Sequence, residues 1–118
     1  MHEEYSNIHF WGRVSHSEAL AIVASSNYSI IIREPTRKNN AGFPTKFVES
    51  ISLGTPVLCN KFSDVDRYLT DNQNGGIIRK DKIKEDILYF SQQHIVVDSS
   101  TFSYRNYIQK IEDFIANL

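Results

Sequence analysis

Short β-branched runs alternate with stretches of helical period along most of the chain, and this alternation constrains the fold more than any other feature. The runs are Ile8-His9-Phe10-Trp11-Gly12, Tyr28-Ser29-Ile30-Ile31-Ile32, Val57-Leu58-Cys59 and Ile77-Ile78. Each is too short to be a helix, and each is separated from the next by enough chain to cross over a sheet. Parallel strands need such crossovers, whereas antiparallel strands need only tight turns. The nearly unbroken apolarity of 28–32 suits a central strand covered on both faces. The order reads β-α-β-α-β-α-β-α-α. It predicts an α/β domain, a parallel sheet with helices on both faces, whose ligands lie outside the carboxyl ends of the strands.

The helical stretches carry their own punctuation. Ser15 stands three residues before Glu18 in the arrangement of a capping box, followed by Ala19, Leu20, Val23 and Ala24 at helical spacing, so a helix is expected over 16–25. Pro44 suits the first turn of a second helix, with Phe47, Val48 and Ile51 on its apolar side and Gly54 with Pro56 at its stop. Ser63 with Asp66 resembles another cap, opening a short helix that carries Val65 and Leu69. Asn74-Gly75-Gly76 reads as a turn. Ile83, Ile87 and Phe90 share one helix face, and Lys80 to Asp86 reads as an ordinary solvated helix start. Tyr104, Ile108, Ile111, Ile115 and Leu118 form the strongest periodic stripe in the chain, expected first as core packing. Ile95-Val96-Val97 is either a strand or a buried loop.

Composition removes several functions. At 118 residues the chain is read as a single domain over 1–118, and its 13 Lys+Arg against 14 Asp+Glu give a net charge of −1. Nucleic-acid binding draws on a basic surface that displaces counterions, so no nucleic-acid partner is expected. The single cysteine, Cys59, excludes an internal disulfide framework, fits a cytoplasmic location, and is expected to be a packed thiol. No apolar run reaches the ~20 residues that span a bilayer. The acidic start, Met1-His2-Glu3-Glu4, lacks an apolar signal core. His2, His9, His16 and His94 have no zinc-ligand spacing, so no metal is expected, and His9 should alternate with core residues on a strand.

Chemistry in such a sheet belongs at strand ends and at the helix starts that follow them. Gly12-Arg13-Val14, Arg33-Glu34, the stretch 39–49 and Lys61-Phe62-Ser63-Asp64 occupy such places. The third is the richest. Gly42 and Pro44 bracket a helix start, where unpaired amides and the helix dipole favour an anion. Lys46 and Glu49 lie three apart and share a face near that start. A lysine there neutralises a phosphate, and a carboxylate accepts hydrogen bonds from two sugar hydroxyls. The alternative is a surface ion pair of little consequence.

In sequence order Phe10-Trp11-Gly12-Arg13-Val14, Asn27 to Glu34, Gly42-Phe43-Pro44-Thr45-Lys46-Phe47-Val48-Glu49, Gly54-Thr55-Pro56-Val57 and Asn74-Gly75-Gly76 resemble the C-terminal half of group 1 glycosyltransferases. These are two-domain GT-B enzymes that transfer a hexose from a nucleotide sugar to an acceptor hydroxyl, many in polysaccharide biosynthesis. The resemblance covers roughly 7–79. It implies a Rossmann-like half of a GT-B fold, a nucleotide sugar as substrate, no cofactor, and transfer with retention and without an essential metal. Glu49 matches the ribose-binding carboxylate. Gly42, Phe43, Thr45 and Lys46 match the helix start facing sugar and diphosphate. Gly12, Arg13 and Val14 match the loop beside the nucleobase, and Arg33 with Glu34 matches an Arg-Glu pair at the strand end. The resemblance leaves the catalytic residues unassigned.

This sequence departs from the family in two ways. Ala41 stands where many members carry a glutamate that touches the donor sugar, and the family's upstream Arg and Lys for the diphosphate have no counterpart. The resemblance therefore implies a missing N-terminal acceptor-binding domain as partner, and an isolated chain with little transferase activity. It leaves room for peripheral contact of the full enzyme with the inner face of the membrane. It also leads to an expectation of self-association through the strand-end rim or the last helix, where Tyr107 and Phe114 stand beside the main stripe. The competing expectation is a non-catalytic α/β binding or interaction module on the same scaffold.

Overall fold

A computed structural model describes residues 6–34, 36–37, 45–62, 65–103 and 108–118. The readings placed on Ala41, Gly42, Phe43, Pro44, Ser63, Tyr104 and Tyr107 lie outside the described residues. Three parallel strands form one open sheet in the order β1-β2-β3: β1 (Ser29–Ile31), β2 (Val57–Cys59) and β3 (Gly75–Ile77). Ser29 pairs with Val57 and Ile31 with Cys59, and these in turn face Gly75 and Ile77. Around them stand α1 (His16–Ala24), α2 (Thr45–Ser52), a 3₁₀ turn (Val65–Arg67), α3 (Ile83–Ser91) and α4 (Ile108–Ala116). The fold is α/β, a small open parallel sheet flanked by helices. No described helix is long and apolar enough to cross a membrane.

Alternation of side chains along the strands divides the core in two. On one face Val57 and Cys59 pack with Phe47 and Ile51 of α2 and with Phe62, Val65 and Leu69, while Ile31, Ile77, Val97 and Phe102 close the margins. On the other, Leu58 and Ile78 pack with Phe90 of α3, beside Tyr28 and Ile95. Ile95 thus joins one cluster and Val97 the other, while Val96 between them is 78% exposed. The segment is an irregular one that alternates sides, not a strand. Burial pushes the Cys59 thiol up to about 12, so it stays protonated and packs as a small apolar group.

Several local readings hold. Ser15 caps α1, its hydroxyl oxygen accepting from the Glu18 amide at 3.2 Å. Gly54, at φ +83, ends α2 in the left-handed conformation that glycine adopts without steric cost. Thr55, buried just after it, donates from its hydroxyl to the Val23 carbonyl at 2.8 Å and ties α1 to this corner.

Four readings are corrected. Residues 8–12 form no strand, and Ile8, Phe10 and Trp11 are exposed. No described strand pairs with them, and a lone extended segment gives little reason to dehydrate its backbone. His9 is accordingly exposed, with its ring 6.4 Å from that of Trp11. β1 lies at the edge of the described sheet, so Ile30 and Ile32 are each 56% exposed instead of covered. Gly75 and Gly76 sit inside β3 and not in the turn, which falls at Asn72 to Asn74. A Cβ on Gly75 would stand 1.8 Å from the Val57 carbonyl oxygen, and one on Gly76 would enter the Phe90 ring. Finally, the last helix is not core: the side chains described on α4 are all exposed, including Ile108, Ile111 and Ile115.

The start of α3 also differs from a plain solvated one. Asp86 is buried and accepts from the Arg79 amide at 2.8 Å, from Nε at 3.1 Å and from the terminal guanidinium nitrogen at 2.6 Å. These bonds hold its carboxyl down at about 2. A carboxylate bound to the segment before its own helix fixes the angle at which β3 turns into α3.

Candidate functional site

α2 follows β1 and leads into β2, which is parallel to it, so α2 runs antiparallel to the strands and begins at their carboxyl ends. α1 feeds β1 through a short connection and runs back the same way. The two helices lie side by side, and between them a cavity of about 300 Å³ opens over β1. Ala19, Leu20 and Val23 of α1 wall one side, Lys46, Glu49 and Ser50 of α2 the other, and Ser29 to Ile31 the strand between. His16, first residue of α1, belongs to the same lining.

Lys46 and Glu49 therefore share a cavity as their three-residue spacing predicts. No ion pair joins the two among the described residues. Lys46 is exposed in the first turn of α2; Glu49, in the second, is half-buried. The spacing of apolar residues explains the aim of both. Phe47, Ser50 and Ile51 are buried against the sheet, which turns Lys46 and Glu49 sideways toward α1. At the other end of the cavity, Ser50 Oγ lies 2.8 Å from Ser29 Oγ and 2.9 Å from the Thr55 carbonyl oxygen. This fixes α2 against β1 at hydrogen-bond precision. The site offers one cation, one carboxylate, an imidazole and several hydroxyls over an apolar wall. Such a set can pair with an anion and hydrogen-bond to hydroxyl groups beside an apolar surface.

Other expected site residues are placed elsewhere. Arg33 and Glu34 follow β1 at its carboxyl end and line a different cavity, of about 300 Å³, with Ile32, Asn60, Ile78, Lys80 and Ile83. The Arg33 guanidinium lies 5.6 Å above the Phe62 ring, a cation–π distance that draws it toward the α2 face. Its backbone is clasped by Asn60, whose Oδ1 accepts from the Arg33 amide at 2.9 Å while Nδ2 donates to the Arg33 carbonyl. Asn60 extends the sheet ladder by one side-chain rung. Sequence reading missed it, and the only hint was an amide residue directly after a buried strand. Gly12, Arg13 and Val14 lie in the irregular segment before α1, with Gly12 at φ +67, and line neither of these two cavities. Thr45 is exposed at the start of α2.

The structure thus joins Lys46 and Glu49, adds His16, and separates them from Arg33 and Glu34. His16 was legible only as one of four scattered histidines; what brings it in is the return path of α1. No group of three or more His, Cys, Asp or Glu able to hold a metal occurs among the described residues. Comparisons with protein-family models, with characterised proteins and with solved structures find no match.

Proposed function

We propose that this chain binds a nucleotide sugar and is the donor half of a glycosyltransferase, a Rossmann-like unit of the GT-B kind. The observation that carries the reading is the convergence of Lys46 and Glu49 on one cavity that opens over β1 between α1 and α2. The ordered set of motifs from Gly12 to Gly76 supports it. In this reading the Glu49 carboxylate accepts from the two ribose hydroxyls, and Lys46 with the start of α2 faces the diphosphate. Those cationic and dipolar groups then stabilise the diphosphate as the bond to the anomeric carbon breaks and the hexose passes to an acceptor hydroxyl. In this reading Arg33 and Glu34, which line the other cavity, do not touch the donor.

Titration calorimetry on the purified chain with uridine, guanosine, adenosine and thymidine diphosphates tests this. One of them is expected to bind, and Glu49→Gln is expected to weaken it about tenfold, the size of a lost charged hydrogen-bond pair to hydroxyls. Absence of binding by all four at millimolar concentration would contradict the reading. A second reading, a non-catalytic interaction module, is favoured by the exposed apolar side chains of α4 and β1. That reading expects no diphosphate to bind.

A further inference from the structure

Two apolar surfaces on this molecule match each other and are left apart. The first is the α4 stripe. Ile108, Ile111, Ile115 and Leu118 recur at intervals of three and four, and they are 40%, 51%, 60% and 90% exposed. This is the anchor spacing with which an amphipathic helix enters a groove. The second lies on the sheet face opposite α2. There α3 covers Leu58 and Ile78 through Phe90 but leaves the β1 side bare. Ile32 is 56% exposed, and Ile83 and Ile87 are 45% and 38% exposed. Ile32, Ile78 and Ile83 line the open cavity of about 300 Å³ that forms the centre of this groove. A nine-residue helix with exposed apolar side chains has little reason to hold its shape alone in water.

We infer that α4 of one copy docks in the β1–α3 groove of a second copy, and that the exchange is reciprocal. Area favours this occupant. The stripe and the groove together expose on the order of 800 Å² of side chain per copy, about what each partner contributes to a standard stable interface. Reciprocal docking about a two-fold axis covers both surfaces on both copies, which a single docking event does not. Charge agrees as well. Lys80 stands on the groove lining and is exposed, while Glu112, exposed, flanks the stripe one residue from Ile111. The molecule is also extended, 61 × 33 × 32 Å with a radius of gyration of 16.7 Å, against roughly 13–14 Å for a compact chain of this length. The dimer does not depend on nucleotide binding.

Sedimentation of the 118-residue chain and four variants tests the proposal. Wild type is expected as a dimer at about 50 µM. Ile115→Asp, which spoils the anchor stripe, and Ile32→Asp, which spoils the groove, are each expected to be monomers whose circular dichroism loses no more than the helical signal of α4. Mixed together, those two variants retain one good helix and one good groove, and are expected to form a heterodimer. Glu112→Lys is expected to weaken the dimer at least tenfold, and Lys80→Glu added to it is expected to restore it. A wild-type monomer at that concentration overturns the proposal. So does failure of the two monomeric variants to pair, which would place α4 on its own chain's groove or leave it for another partner.

Discussion

Gly75 carries more of the architecture than its lack of a side chain suggests. It sits in β3 at φ +146, where a Cβ would stand 1.8 Å from the carbonyl oxygen of Val57 and 2.7 Å from its amide nitrogen. Both are backbone atoms of the central strand, so no rotamer change relieves the clash. Gly75→Ala is therefore expected to cost about 4 kcal/mol or more, in the range reserved for severe backbone and core faults. Gly76→Ala meets only the Phe90 ring, which withdraws at the cost of its packing, about 1–3 kcal/mol. Urea unfolding of the two variants checks the order. Equal and small effects would show that β2 and β3 are not in this register. Neither glycine's role was legible in the sequence, because Asn-Gly-Gly has the composition of a turn. Close strand approach requires glycine for the same lack of Cβ, and only the partner strand tells the two apart.

At the scale of elements, what the sequence displayed was local and what it concealed depended on neighbours. The Ser15 cap, α1, α2 and the burial of Val57-Leu58-Cys59 each follow from residues within a turn or two. The run at 8–12 looked like a strand because its residues prefer extended backbone, but a strand is a pairing, and no described strand pairs with it. α4 was read correctly as a helix and wrongly as core, since periodicity gives a face and does not say what covers it. Lys46 and Glu49 were legible because three-residue spacing on a helix fixes a shared face; His16 was not, because its place depends on how α1 packs beside α2.

The start of α3 shows the same dependence in a testable form. Asp86 is held at about 2 by Arg79, below the usual carboxylate range, so folding favours its ionised form. That contribution is fully present above about pH 4–5, where the unfolded carboxylate is also ionised, and is lost as pH falls toward 2. Asp86→Asn is expected to lower Tm by several degrees at pH 7. The gap from wild type should close between about pH 4 and 2. A gap that stays constant over that range would mean that Asp86 stabilises by shape alone.

For the whole molecule, the proposed ligand site lies between α1 and α2, and the proposed association surface lies on the opposite face of the sheet. Two cavities of similar size mark them. Glu49 and Lys46 line one, Arg33 and Glu34 the other, and β1 separates them. Backbone amide shifts recorded by NMR during titration with the tightest nucleoside diphosphate read both at once. The largest changes are expected at His16, Lys46, Glu49 and their neighbours in α1 and α2. Changes confined to Ile32, Lys80 and Ile83, or spread evenly over the chain, would contradict the account.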